Sequence, residues 1–455
     1  MTLIKSISGI RGTIGGEVKE NLTPIDLARF TAAFALFIKR ARADKNATAK
    51  IVVGRDARIS GEMCAQIVRG VLEGSGVDVV DIGLASTPTV EVAVTELGAD
   101  GGIILTASHN PKEWNALKLL GASGEFLNAE QGVEVLRMAE ADEFDFVEVD
   151  ELGHTEVLDF NERHIEMILT LKGVDVQAVR ARGFKVVVDA VNSVGGIVIP
   201  ELLKRLGCEV VELNCEPTGR FAHNPEPLKE HLTEISAAVV EHRADIGVVV
   251  DPDVDRLALV SENGEMFGEE YTLVAVADYV LGFAENKDTV SNLSSSRALR
   301  DVTRAHGGEY SASAVGEVNV VAKMKAVGAA IGGEGNGGII YPELHYGRDA
   351  LVGVGLFLSY LQQRGVAMSE LRATLPEYYM SKNRAELTPQ SDIDGMLAAV
   401  AERYSGEQVT TIDGVKIDME DGWVHLRKSN TEPIVRIYSE ARSQARADEL
   451  AATIL

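Results

Sequence analysis

The chain has 455 residues, which at roughly 100–150 residues per domain predicts about three or four domains and excludes a single small binding module. Lys and Arg number 44 against 69 Asp and Glu, a formal charge of −25. A surface this acidic repels polyphosphate backbones and anionic lipid, so neither nucleic acid nor a membrane is expected as a partner. A hydrophobic fraction of 45% with 5% aromatics and 44 glycines indicates an Ala/Val/Gly-rich α/β protein without extended disorder. Cys64, Cys208 and Cys215 show no Cys-x-x-Cys spacing and are read as reduced. No stretch approaches about 18 uninterrupted apolar residues, and Arg11 precedes any signal-like run, so the expected location is the cytoplasm.

In chain order, Thr23 to Ala43 predicts a helix with Thr23 as N-cap and Pro24 at its first position. Lys50 to Gly54 reads as a buried strand, Ser60 as the cap of a helix running to about Gly74, and Val77 to Ile82 as a strand. Gly101 to Leu105 is a further strand that runs into Thr106-Ala107-Ser108-His109-Asn110-Pro111. The acidic stretch Glu140 to Asp159 is read as a linker. A second α/β unit follows: strands Lys185 to Asp189, Glu209 to Leu213 and Asp245 to Val250, and a helix from Ile199 to Leu206. A third begins near residue 253, with helices Glu269 to Leu281, Ser296 to His306 and Leu351 to Leu361, and a glycine-rich loop at 332–338. Arg364 to Thr388 bridges to a last unit, where Val424 to Arg427 and Val435 to Tyr438 alternate like half-buried strands. The domain boundaries expected are 1–150, 151–252, 253–366 and 367–455. The first three units share a strand followed by a polar loop and a helix, a likeness that ordinary α/β composition would also produce.

Four loops carry chemistry. Asp251-Pro252-Asp253-Val254-Asp255-Arg256 directly follows an apolar strand, where ligands gather in an open sheet. Three carboxylates at alternating positions converge when a hard divalent ion, most plausibly Mg²⁺, offsets their repulsion. Ser108 sits in a turn fixed by Pro111; by spacing alone it is equally a turn serine or a nucleophile. His109 is its chain neighbour, and neighbours on an extended segment point to opposite sides. Lys118 is either a cation near Ser108 or a solvated surface lysine. In Gly332-Gly333-Glu334-Gly335-Asn336-Gly337-Gly338, Glu334 and Asn336 offer groups suited to vicinal hydroxyls. Arg427 to Pro433 combines Arg427 and Lys428 with Ser429, Asn430 and Thr431, the donors a phosphate dianion needs. Arg436 on the next strand completes that pocket or serves as a surface ion pair.

Together and in this order, the segments SGIRG, TASHNP, DPDVDR, GEGNGG and RKSNTEP resemble the α-D-phosphohexomutase family, which includes phosphoglucosamine mutases and phosphomannomutase/phosphoglucomutases. The resemblance implies three related mixed α/β domains plus a C-terminal TATA-binding-protein-like α+β domain around a central cleft. It implies that Ser108 is the phosphoserine and a metal ligand with Asp251, Asp253 and Asp255, and that Arg256 lies beside it. It implies cleft roles for Arg11 and Lys118, with Lys118 a candidate for proton transfer, and a supporting role for His109. Glu334 and Asn336 match the sugar-reading loop; Arg427, Ser429, Asn430, Thr431 and Arg436 match the pocket for the non-reacting phosphate. The implied reaction is an isomerisation of hexose phosphates by way of a bisphosphate intermediate, with Mg²⁺ as cofactor and hexose 1,6-bisphosphate as activator. The small-molecule partner is a phosphosugar, and the chain is expected to act as a monomer or homodimer. A mobile last domain, tied by 364–388, would open for reorientation of the intermediate.

Many members of that family carry Ser and His where this chain has Asn336 and Gly338. The Glu-Gly-Asn-Gly-Gly form and the SGIRGTIGG start look most like phosphoglucosamine mutases, which favours glucosamine phosphate, with phosphomannomutase/phosphoglucomutase as the alternative. Two other classes compete. An apolar strand followed by Asp251-x-Asp253-Val254 also matches the nucleophile motif of haloacid-dehalogenase-type phosphatases, and a sugar-phosphate sensor would bind without turnover.

Overall fold

Apolar runs of period two and helices of period near 3.6 sort the chain into four sheets with helices packed on them. The structure, a computed structural model, describes residues 2–6, 9–42, 47–387, 392–429 and 434–454. The described chain divides into two compact units, Met1–Thr272 with Asn336–Ser369, and Leu273–Gly335 with Glu370–Leu455. No helix among the described residues is long and apolar enough to cross a membrane.

In the first unit, β1 (Ile4–Ser6), β2 (Gly9–Thr13), β3 (Ala49–Arg55), β4 (Val77–Leu84), β5 (Gly101–Leu105), β6 (Trp114–Gly121) and β7 (Thr155–Val157) form one sheet ordered β1-β2-β6-β5-β3-β4-β7. Its centre is parallel, while β6 runs antiparallel to both β5 and β2. Ile51, Val53, Ile103 and Leu105 enter one core and Val52 and Ile104 the other, so helices cover both faces. A second sheet, ordered β11-β10-β8-β9, is built from β8 (Lys185–Asp189), β9 (Glu209–Leu213), β10 (Ile246–Val250) and β11 (Leu257–Ser261). In the second unit Thr289–Asn292 lies between Tyr310–Ser313 and Ile331–Glu334, all parallel. A five-stranded antiparallel sheet of Tyr379–Glu386, Ile434–Ala441, Gly422–Lys428, Val415–Asp418 and Gln408–Thr410 carries the helices Ile393–Arg403 and Gln444–Thr453, the α+β unit expected at the C-terminus.

Local rules explain most boundaries. Helix Pro24–Ala41 starts from Thr23, whose side chain forms a reciprocal capping box with Asp26. Ser60 does not cap the helix Gly61–Gly74; its hydroxyl instead accepts from Asn115 Nδ2 at 3.0 Å. The helix expected from Ile199 starts earlier, at Gly195, and runs with Pro200 inside it. The acidic stretch read as a linker returns to the first sheet: helix Ala129–Glu140 precedes it, and β7 pairs parallel with β4. Residues just past 253 also stay with the second sheet, because β11 folds straight back on β10.

Within the second unit the final sheet is bonded to the 292–297 loop. Arg297 Nη2 donates to Asp418 Oδ1, Met419 O and Gly422 O at 2.8–2.9 Å. Lys416 Nζ donates to Leu293 O at 2.9 Å, and the Ser294 hydroxyl meets His425 Nδ1 at 2.9 Å. These bonds are buried or half-buried, so the seam between the final sheet and the 292–297 loop is largely shielded from water.

The first unit also holds a buried ion cluster built from residues outside the motifs. Asp349 Oδ2 lies 3.0 Å from His164 Nε2 and 3.2 Å from His345 Nε2, and His345 Nδ1 lies 3.2 Å from Glu91 Oε2. It joins helix Thr87–Glu96, helix Asn161–Leu169 and the N-cap of helix Ala350–Arg364. Burial works against a charged His345, yet the bonds to Asp349 and Glu91 push it up to about 10. With a folded value above the ordinary 6.5, its stabilisation is complete below about pH 6.5 and is lost as pH rises through about 10. The stability difference between the wild type and His345→Gln, measured by urea unfolding, is therefore expected to narrow from pH 6.5 to pH 10; a constant or widening gap would refute the imidazolium bridge.

Candidate active site

Both chemistry-bearing loops of the first unit are turns between antiparallel strands. TASHNP joins β5 to β6, and DPDVDR joins β10 to β11. In each turn a residue is forced into the left-handed region: Ser108 at φ 48° and Val254 at φ 64°. For β-branched Val254 that is a true outlier, held because the surrounding bonds over-determine it. Thr87 N donates to Asp253 O at 2.9 Å, Ser193 Oγ to Pro252 O at 2.7 Å, and Ala350 N to Val254 O at 3.2 Å.

The Ser108 turn is clamped by a residue that the motifs do not contain. Arg58 is 1% exposed; Nη1 donates to Pro111 O at 2.6 Å and Trp114 O at 3.0 Å, and Nη2 to Asn110 O at 2.7 Å and to Ser108 O. Its Nε donates to Asp56 Oδ2 at 3.0 Å, and Thr106 Oγ1 donates to the same oxygen at 2.6 Å. Burial pushes the Asp56 carboxyl up, with Arg58 and Thr106 acting against that. The clamp is a guanidinium fork closed over backbone carbonyls, a task for which lysine lacks the geometry.

Ser108, 7% exposed, donates from Oγ to Asp251 Oδ2 at 2.8 Å. Its left-handed backbone brings Oγ to 3.5 Å from His109 Nδ1, so the two side chains do not point apart as an extended segment would require. His109 is no base for Ser108, because Nδ1 accepts from Arg256 Nη2 at 2.9 Å. Arg256, with burial and Arg11 behind it, holds His109 well below its ordinary value. Arg11, on β2, reaches Asn110 Oδ1 at 3.4 Å.

Asp251, Asp253 and Asp255 are all fully buried, with one carboxylate oxygen from each within 4.8 Å of the others. Burial and then the charges of Asp255 and Asp253 push Asp251 well above the usual carboxylate range. For Asp253 burial acts in the same sense but is outweighed by Lys118, and the group lies below its ordinary value. Lys118, on β6, is buried rather than solvated; Nζ donates to Asp253 Oδ2 at 2.6 Å and lies 3.6 Å from Asp255 Oδ2. Burial disfavours its ammonium, but Asp253 and Asp255 prevail and raise it. Asp253 Oδ1 and Asp255 Oδ1 are buried and accept no hydrogen bond among the described residues. Two orphaned hard oxygens beside a third carboxylate fit a hard divalent cation. Arg348, absent from the motifs, donates from Nη2 to Asp255 Oδ2 at 2.6 Å.

The remaining predicted residues fall as follows. Asn336, in the first unit, accepts at Oδ1 from Gly338 N at 3.2 Å. In the second unit Glu334 Oε1 accepts from Asn292 Nδ2 at 2.8 Å and Gly316 N at 3.0 Å. Arg427 Nε lies 3.2 Å from Asp413 Oδ2, Arg436 Nη1 donates to Tyr438 Oη at 3.1 Å, and Ser429 N donates to Ile434 O at 2.9 Å. Asn430 and Thr431 lie outside the described residues. Arg436 is paired in register with Arg427 on one side and Arg384 on the other. Like charges directly opposite on one face of a sheet are unfavourable unless an anion joins them, and Arg384 had no motif to mark it.

Residues 3–146, 162–264, 268–379 and 383–455 match, in turn, the phosphoglucomutase/phosphomannomutase alpha/beta/alpha domains I, II and III and the C-terminal domain. The chain belongs to the α-D-phosphohexomutase family and is a phosphohexomutase, an isomerase. It is 37% identical over 443 residues to a phosphoglucomutase/phosphomannomutase of Thermococcus kodakarensis, covering 96% of each chain. It is 33% identical over 452 residues to a phosphoglucosamine/phosphogalactosamine mutase of Sulfurisphaera tokodaii, covering 97% of this chain and 96% of the other. A crystal structure of a phosphoglucomutase/phosphomannomutase family protein from Burkholderia thailandensis superposes with a TM-score of 0.86 at 28% identity, over 100% of this chain and 98% of that one.

Removing the clamp tests the geometry. Arg58→Ala strands the buried Asp56 carboxylate and is expected to destabilise the chain by about 3–5 kcal/mol. It should also lower kcat about a hundredfold through a misplaced Ser108. Urea unfolding and steady-state mutase kinetics read the two effects, and near-wild-type values in both would remove the clamp from the argument.

Proposed function

We propose that the chain interconverts hexosamine 6-phosphate and hexosamine 1-phosphate, glucosamine 6-phosphate foremost, through a phosphoryl group carried on Ser108. The observation that carries this reading is the Ser108 hydroxyl, bonded at 2.8 Å to one of three crowded buried aspartates and strained into its turn. In the first half-reaction the bond from phosphorus to Ser108 Oγ breaks and one to the free sugar hydroxyl forms, the hydroxyl's proton ending on Ser108 Oγ, giving a 1,6-bisphosphate and a free serine. After the sugar turns round, its other phosphoryl returns to Ser108.

Asp251, Asp253 and Asp255, with an oxygen of phosphorylated Ser108, would hold Mg²⁺, which when bound neutralises charge on the phosphoryl group in transfer. Arg256 and Arg11 add fixed positive charge beside Ser108, and His109, kept neutral by Arg256, orients that guanidinium. Lys118, kept protonated by Asp253 and Asp255 against its burial, is the group assigned to give a proton to the departing sugar oxygen. Glu334 and Asn336 are assigned to the sugar hydroxyls. Arg427, Ser429, Asn430, Thr431 and Arg436, joined by Arg384, are assigned to the non-reacting phosphate. Hexose 1,6-bisphosphate would charge Ser108, and the chain would act in the cytoplasm as a monomer or homodimer.

The glucosamine reading is supported by the glycine-loop form and by the mutase from S. tokodaii named for glucosamine and galactosamine. Phosphomannomutase/phosphoglucomutase is the second reading, favoured by the relative from T. kodakarensis. Asp251 is a poor phosphatase nucleophile, since Oδ1 accepts from Asp255 N and Arg256 N, both at 3.2 Å, and Oδ2 from Ser108.

The test is ³¹P NMR with Mg²⁺ and a trace of glucose 1,6-bisphosphate, offering glucosamine, mannose and glucose 6-phosphates separately. Conversion to the 1-phosphate should be fastest for glucosamine, and Ser108→Ala should slow it by more than about a thousandfold. Faster mannose conversion would transfer the assignment to the second reading, and release of inorganic phosphate would favour Asp251 as nucleophile. In the same assay Arg384→Gln is expected to raise KM about tenfold with kcat little changed; an unchanged KM would take Arg384 out of the phosphate pocket.

A further inference from the structure

Arg348 enters the aspartate site from the side of the glycine loop. Its backbone forms an antiparallel bridge with Ile340, two residues past Gly338, and Asp349 N donates to Ile339 O at 2.8 Å. The arm then runs over Gly338: a Cβ built there would overlap Arg348 Cδ, with Cγ at 3.1 Å and Asn336 Oδ1 at 3.2 Å. Gly338 is not in the left-handed region, so what a side chain would meet at this position is the Arg348 arm and not a disfavoured backbone conformation.

Both flanks of Arg348 are pinned by the buried ion cluster. Asp349 Oδ1 accepts from Leu351 N at 2.8 Å and Val352 N at 3.2 Å, while Oδ2 faces His164 and His345. His345 is tied in turn to Glu91, whose carboxylate presses on Gly347 so closely that a side chain there has no room. Asp255 Oδ2 thus faces two cations, Arg348 at 2.6 Å and Lys118 at 3.6 Å, while Asp255 Oδ1 accepts no hydrogen bond among the described residues.

We propose that Arg348 is a positioning residue for the cation site, engaging Asp255 Oδ2 so that Oδ1 is the oxygen turned to the ion, and that Gly338 provides the passage for its arm. The proposal rests on the reading of the aspartate triad as a cation site. Without the guanidinium, Asp255 is free to rotate about its own side-chain bonds, and the convergence of the three donors is lost. Partners that orient a ligand in this way typically account for about 10–100-fold in metal affinity.

The experiment is a Mn²⁺ titration of the full chain, with free ion followed by electron paramagnetic resonance and folding checked by circular dichroism. The proteins compared are the wild type, Gly338→Ala, Arg348→Ala and the double variant, since alanine removes the Cγ and Cδ that lie over Gly338. Each single change is expected to weaken Mn²⁺ binding about tenfold, and the double variant no further, because the added methyl acts only by dislodging an arm that is already gone. Multiplying effects would overturn the passage role of Gly338. Unchanged or tighter binding in Arg348→Ala would overturn the positioning role while leaving the triad as a cation site. A wild type that binds no Mn²⁺ would overturn the triad reading and this proposal with it. Should Gly338→Ala fail to fold, the same change in an Arg348→Gly background is expected to fold, and its failure there also would refute the passage.

Discussion

Three carboxylates on one buried loop repel one another, and the architecture of the first unit follows from what is needed to hold them together. Two unit charges about 4 Å apart interact by roughly 4 kcal/mol at the effective dielectric constant of a protein surface, and more when buried. Asp251, Asp253 and Asp255 are all within such reach. Each is met from a different part of the chain: Ser108 from the β5–β6 turn, Lys118 from β6 and Arg348 from the segment after the glycine loop. No local stretch of sequence could bring those groups together, which is why residues 336–369 return to pack with residues 1–272. The contacts that close the unit are therefore also contacts of the site.

The turns that carry Ser108 and Val254 are strained, and strain persists only where neighbours make other conformations worse. Arg58 does this for the first turn by taking carbonyls that would otherwise be buried without donors. Thr87, Ser193 and Ala350 do it for the second. The result is a preorganised arrangement in which the charged groups around Ser108 and the three aspartates are held by the fold itself.

The parts legible in the sequence were those where cause and effect lie close together along the chain. Thr23-Pro24 marks a helix start because a cap acts over three residues, and the apolar runs of β3, β5, β8 and β10 mark strands because both faces of the sheets are covered. The strands β2 and β6 gave little such signal, since Arg11 and Lys118 interrupt their apolar runs. Ser60 was misjudged because its hydroxyl answers to Asn115, far along the chain. Arg58, Arg348 and Arg384 escaped for the same reason: each is defined by partners that only the sheets bring near. An Arg-Asp-x-Arg run at the end of β3 does carry a usable hint, a cation pair where a buried strand meets a turn.

Within the second unit the same logic decides what can move. Separating the final sheet from the 292–297 loop would strip Arg297, Lys416 and His425 of their partners at once. Each buried donor or acceptor left bare costs about 1–3 kcal/mol, and more where it is charged. His425 fits the seam as a neutral ring: burial pushes it down to about 4, leaving Nδ1 to accept from Ser294 while Nε2 donates to Asp413 O. Asn292, which begins that loop, also holds Glu334. The carboxylate of Glu334 and the cross-strand row of Arg384, Arg436 and Arg427 thus lie in one compact unit, joined through the same 292–297 loop.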